Sequence, residues 1–164
     1  MSSFNRRAVL AMLGLMPLAG CGFQPAYGTD GVAADLQGRV ALQDPTERDE
    51  FDLVARFEER LGRPNAPIYD LSYSLRTDEE GLGISAQQEI TRFNVLGYLD
   101  FVLRDRRTGL IVAQGSTSNF TGYSTTGNTI TTVTAQRDAY ARLVVLLADQ
   151  TITRILAVLA ADAS

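Results

Sequence analysis

The chain has 164 residues, a formal net charge of -4, 45% hydrophobic and 21% charged residues, values that fit one ordinary globular domain. It holds no His and no Trp, its single Cys is Cys21, and every basic residue is Arg. Imidazole bases, imidazole ligands and amine nucleophiles are thereby removed from its chemistry.

The N-terminus has the order of a secretory signal: basic "NRR", an apolar run from Ala8 to Leu15, then small residues ahead of Cys21. The run is too short to span a bilayer, because roughly 30 Å of hydrocarbon needs about 20 apolar residues. Pro17 and Gly20-Cys21-Gly22 interrupt it. Arg6-Arg7 allows twin-arginine export, and ordinary unfolded export is the plainer route. "LAGC", Leu18 to Cys21, resembles the lipobox of bacterial lipoproteins, in which the cysteine receives a diacylglyceryl thioether, cleavage falls before it and its new amino group is acylated. Residues 1–20 are therefore expected to be a lipoprotein signal peptide and Cys21 the lipid attachment site, with no thiol left for catalysis, metal or disulfide. Acyl chains contribute about 0.8 kcal/mol per buried methylene, so several hold a protein stably on a membrane. Loss of Arg6 and Arg7 with the leader takes the net charge to about -6. Residues 21–37 are rich in Gly, Ala and turn formers and read as a lipidated tether, leaving 38–164 as a single domain.

"GRVALQ" alternates Val40 and Leu42 with polar neighbours and predicts a short strand. In "DPTERDEFDLVARFEERLGRP", Asp44, Pro45 and Glu47 are placed as N-cap, first helical residue and capping-box partner. Phe51, Val54, Phe57 and Leu61 form the expected apolar stripe, Gly62 ends the helix and Pro64 prevents its resumption. "YDLSYSLR" then alternates Tyr69, Leu71, Tyr73 and Leu75 with polar residues, a half-buried strand that "TDEEG" is expected to close with a turn. "LGISAQQEI" reads as a weaker strand. "TRFNVLGYLDFVLRD" and "LIVAQGSTSNFTGY" flank the turn "RRTG" as a hairpin whose second half is polar enough for an exposed edge or interaction surface. After the loop "STTGNT", a helix is predicted from about Val133 to Ala160, with Tyr140, Val144, Leu147, Thr151, Ile155 and Val158 at spacings of three and four. Leu143, Leu146, Ile152, Leu156 and Leu159 widen its stripe beyond the need of one sheet face. The order predicts a two-layer α+β domain, its helices on one face of a mixed sheet.

Catalytic signals are missing from this pattern. No "GxSxG" elbow exposes a serine, and without His or Lys only carboxylates remain as bases. Asp78-Glu79-Glu80 and Glu58-Glu59 read as solvated charge. Zinc and redox-metal sites lack their usual ligands, "TDEEG" lacks calcium-loop spacing, and "GLG" lacks the remainder of a phosphate or dinucleotide motif. The sequon Asn119-Phe120-Thr121 is a chance match beside a bacterial lipobox. A non-enzymatic protein without cofactor or metal is expected. The concentrated basic feature is Arg104, Arg106 and Arg107 at the hairpin tip, whose forks match phosphate bidentately and suit a phosphorylated glycolipid or an acidic partner; the plainer reading is a solvated turn. Nucleic acid is disfavoured by the acidic balance.

Taken together, "CGFQPAYG" behind the lipobox, the hairpin "YLDFVLRDRRTGLIVAQG" and the closing "AQRDAYARLVVLLADQTITRIL" resemble the LPS-assembly lipoprotein LptE family in its alphaproteobacterial form. The resemblance runs over most of the mature chain and rests on the order of the parts. It implies two helices on a four-stranded mixed sheet and a non-enzymatic role. Such lipoproteins sit at the periplasmic side of the outer membrane, help to fold and plug the LptD β-barrel in lipopolysaccharide transport, and can bind lipopolysaccharide directly. With no lysine in the chain, phosphate contacts would fall to Arg92, Arg104, Arg106 or Arg107. Gly22 in place of an aspartate after the cysteine favours the outer membrane. The alternative is an auxiliary lipoprotein of another envelope lipid or toxin transporter, with no barrel partner.

Overall fold

The computed structural model describes residues 31–84, 90–125 and 129–162. The signal peptide, Cys21 and residues 21–30 of the tether lie outside the described residues. So do residues 85–89, within the weaker expected strand, and 126–128, within the expected loop.

The first strand, β1 (Val40–Leu42), forms where alternation predicts it. It is preceded by a short helix, α1 (Val32–Leu36), on residues that composition assigns to the tether. Leu36 explains the difference: it is 1% exposed, and burying a leucine stabilises by roughly 1.5–3 kcal/mol, more than local composition opposes. Helix α2 (Arg48–Leu61) follows β1, but its cap lies three residues later than the Asp44 reading. Glu47 is the N-cap, and the Glu50 carboxylate accepts from the backbone N–H of Thr46 at 2.6 Å and of Glu47 at 3.2 Å. These bonds, those of Thr46 foremost, hold the Glu50 carboxyl below the usual carboxylate range. Of the expected stripe, Phe57 and Leu61 are buried and Val54 packs against the core, Leu53 joins them, and Phe51 at the edge of the stripe is 59% exposed. Gly62 ends the helix at φ 76°, where a Cβ would also meet Gln37 Oε1 at 2.9 Å.

Strand β2 spans Tyr69–Ile84 and runs straight through "TDEEG", where the sequence predicts a turn. It pairs antiparallel with β3 (Ile90–Asp105), Asp78 opposite Leu96 and Glu80 opposite Asn94, so the acidic run is an edge segment of a long ladder. β3 pairs with β4 (Ile111–Ser124) in the expected hairpin. The sheet order is β1-β2-β3-β4, with β1 and β2 parallel across the α2 crossover and the other pairs antiparallel. The four-stranded mixed sheet, with helices packed against it, is the expected α+β architecture.

Helix α3 (Thr129–Asp162) is longer at both ends than its predicted core. By length and apolarity alone it could cross a membrane, yet Leu143, Leu147, Thr151 and Ile155 are buried against the domain. The odd-numbered residues of the strands meet it: Leu71, Tyr73, Val95, Leu99, Phe101, Leu103 and Ala113 lie in the core. Gly97 lets the helix come close, for a Cβ there would stand 2.7 Å from Leu147 Cδ1. The polar pair within this layer satisfies itself, the hydroxyls of Thr117 and Thr151 lying 2.9 Å apart. Arg56 joins the helices, donating to Asp149 at 3.0 and 2.7 Å.

Candidate functional site at the arginine hairpin

The tip between β3 and β4 is built around Asp105. Its carboxylate accepts from the backbone N–H of Thr108 at 2.7 Å, from that of Arg107 at 2.9 Å and from the Thr108 hydroxyl at 3.0 Å. These bonds, Thr108's first, hold Asp105 below the usual carboxylate range, so it stays charged beside the arginines. Gly109 N–H closes the turn on the Asp105 carbonyl at 2.8 Å.

The three tip arginines then divide. Arg106 is engaged: its Nε lies 3.1 Å from Asp70 Oδ1, and its backbone N–H donates to the Ile68 carbonyl at 2.9 Å, which staples the tip to the entry of β2. Arg104 sits opposite Asp70 in the ladder, and Arg107 projects from the turn. Both are exposed and form no ion pair among the described residues. A hollow of about 390 Å³ at the tip is lined by Pro67, Ile68, Asp105, Arg106 and Arg107. Arg92 is not part of this group. It lies on the same strand and face as Arg104, twelve residues away, a separation of roughly 40 Å at strand rise. Exposed guanidiniums thus stand at both ends of the sheet, Arg104 and Arg107 at one and Arg92 at the other.

Between these ends the even-numbered residues form a face that no described helix covers. Ser72, Ser74, Asp100, Gln114, Ser116 and Ser118 are exposed on it. Arg76 lies over the Tyr98 ring at 5.0 Å, and Phe120 is 63% exposed beside Leu96. The expectation of a polar, exposed Ser116 to Asn119 segment holds for Ser116 and Ser118, whereas Thr117 turns into the core.

Sequence reasoning misses Glu79, a residue of the supposed turn. Its carboxylate accepts from Gln136 Nε2 at 3.1 Å and the Tyr140 hydroxyl at 3.5 Å, and it also receives the Tyr123 hydroxyl. Burial, then the bond to Glu79, pushes the Tyr123 phenol up to about 12. An open cleft of about 510 Å³ between α2 and α3 is lined by Arg48, Asp49, Asp52, Gln136, Arg137 and Tyr140. Burial, followed by the charge of Asp52, pushes the Asp49 carboxyl up. Among the described residues no group of acidic or sulfur ligands is arranged to hold a metal.

No protein-family model and no curated protein sequence matches the chain. Solved structures do share its fold, bacterial lipoproteins among them. A protein of Caulobacter crescentus CB15 assigned as a lipoprotein aligns at TM-score 0.66 and 20% identity, covering 80% of this chain and 96% of its own. Lipoprotein B of Nitrosomonas europaea aligns at TM-score 0.56 and 12% identity, over 73% of this chain and 82% of that one. Rare lipoprotein B of Shewanella oneidensis aligns at TM-score 0.54 and 10% identity, over 76% and 93%. At these identities the likeness is one of fold: a two-layer domain of the type found in bacterial lipoproteins, with rare lipoprotein B among its representatives.

Proposed function

We propose that this protein is an outer-membrane lipoprotein, held by acyl chains on Cys21 at the periplasmic side, that assists assembly of an LptD-like β-barrel and plugs it during lipopolysaccharide transport. The role is structural and non-enzymatic. The observation that carries this reading is the uncovered sheet face: its serines, glutamine and charged residues form a broad polar surface, and a barrel lumen is itself lined by polar side chains. The fold shared with rare lipoprotein B and the LptE-like order of sequence motifs support the same assignment. Arg104 and Arg107 are the residues that would contact lipopolysaccharide phosphates.

Controlled depletion of the protein tests the reading. Correctly assembled barrel and surface lipopolysaccharide are expected to fall together. Normal levels of both would overturn the proposal in favour of an auxiliary lipoprotein of another envelope transporter.

A further inference from the structure

The sheet has two edges, and the fold treats them differently. On β4 the odd-numbered residues pair with β3, so the even-numbered backbone groups point outward. Helix α3 reaches over them: Arg154 Nη1 donates to the Ser116 carbonyl at 2.9 Å and Arg142 Nη2 to the Gly122 carbonyl at 3.3 Å. On β2 the outward residues are the odd-numbered ones, as the bond from Gln43 N–H to the Leu71 carbonyl at 3.0 Å marks. β1 covers only Tyr69 to Leu71, and the Tyr73 hydroxyl closes on the Gln43 carbonyl just beyond it. From there on, the outward N–H and C=O groups of Leu75, Thr77, Glu79 and Gly81 have no partner among the described residues.

An open ladder of this kind accepts an added strand. The side chains beside it select which strand. The Glu79 carboxylate is already held by Gln136 and the two tyrosines on the helix side, whereas Asp78 and Glu80 stand exposed on the uncovered face along the open edge. A second copy of the chain would set that acidic pair against itself. The preceding segment "CGFQPAYGTD" carries Asp30, Pro25 and no basic residue, so it is a poor match as well. We propose that the β2 edge from Leu75 to Gly81 takes up an extended segment of a partner polypeptide that carries Arg or Lys at alternate positions. Its backbone completes the ladder, and its basic side chains fix the register opposite Asp78 and Glu80. This surface is independent of the barrel reading, because any envelope partner with such a segment would fit it.

The test uses the full chain in detergent and a peptide of about eight residues alternating Arg and Val, long enough to make a strand. Two controls accompany it: the same peptide with Glu in place of Arg, and an N-methylated Arg peptide that keeps the charge but cannot donate to the ladder. The Arg peptide is expected to bind at least roughly tenfold more tightly than either control and to protect the amides of Leu75, Thr77 and Glu79 from hydrogen exchange. Asp78→Lys with Glu80→Lys, both at exposed positions, should reverse the preference to the Glu peptide. Equal binding of the N-methylated peptide, or binding without protection of those amides, would overturn the proposal. So would amides already protected before peptide is added, or protection that appears only as the chain dimerises.

Discussion

Arg106 and Arg107 are neighbours in sequence and differ in work. Arg106 is committed to Asp70 and to the carbonyl of Pro67, while Arg104 and Arg107 are exposed, Arg107 in the wall of the tip hollow. Arg104→Gln with Arg107→Gln is therefore expected to weaken lipopolysaccharide binding by about tenfold, the loss of charge-assisted bonds to phosphate, with the thermal midpoint unchanged. Arg106→Gln should instead lower stability by up to about 1 kcal/mol, the usual ceiling for a half-exposed pair. Binding that survives the double change would leave the tip as a solvated turn. The cluster itself was legible because its residues share one turn; Arg92 was grouped with it by charge alone, although the single strand expected over "TRFNVLGYLDFVLRD" already sets it at the opposite end from Arg104. Tyr123 gives a second prediction at this scale. Its phenol is pushed up to about 12 from an ordinary 10.0, so the native state keeps a proton that the unfolded chain releases. The resulting stability is complete below pH 10 and is lost as pH rises toward 12. Thermal midpoints measured across that window should fall for the parent chain and fall less steeply for Tyr123→Phe.

Among the elements, α1 separates sequence reading from structure most clearly. Five residues with Gly on one side and no long apolar pattern carry no helical periodicity, and what holds them is tertiary: Leu36 in the core. Leu36→Ala is expected to cost about 2–5 kcal/mol, measured by chemical denaturation, because it empties a fully buried site. A cost below about 1 kcal/mol would return the segment to the tether. The long helix and the hairpin were legible because their periodicities extend over many residues. The α2 cap was misplaced by one turn because "DPTERDE" offers two overlapping capping boxes, and only the reach of Glu50 back to Thr46 decides between them. The turn at "TDEEG" failed for a related reason. Acidic residues there look like a loop, yet they are tolerated on an edge strand whose alternate faces meet solvent and the Tyr123–Tyr140 pair.

At the scale of the molecule, one face of the sheet carries the core and the other remains open. Helices α2 and α3 spend their apolar stripes on the odd-numbered residues, and α3 also shields the β4 edge through Arg142 and Arg154. The remaining surfaces are a polar sheet face, an acidic open edge on β2 and an arginine tip. We propose that they serve contact with a barrel wall, a polypeptide strand and lipid phosphate. The lipid anchor at Cys21 would then hold the domain where those contacts are made. Mass spectrometry of the C-terminally tagged protein, extracted from membranes and purified in mild detergent, tests this most directly. Recovery of an LptD-like barrel in equal amount with the lipoprotein is expected. Recovery of the lipoprotein alone, or with inner-membrane transporter subunits in place of a barrel, would contradict it.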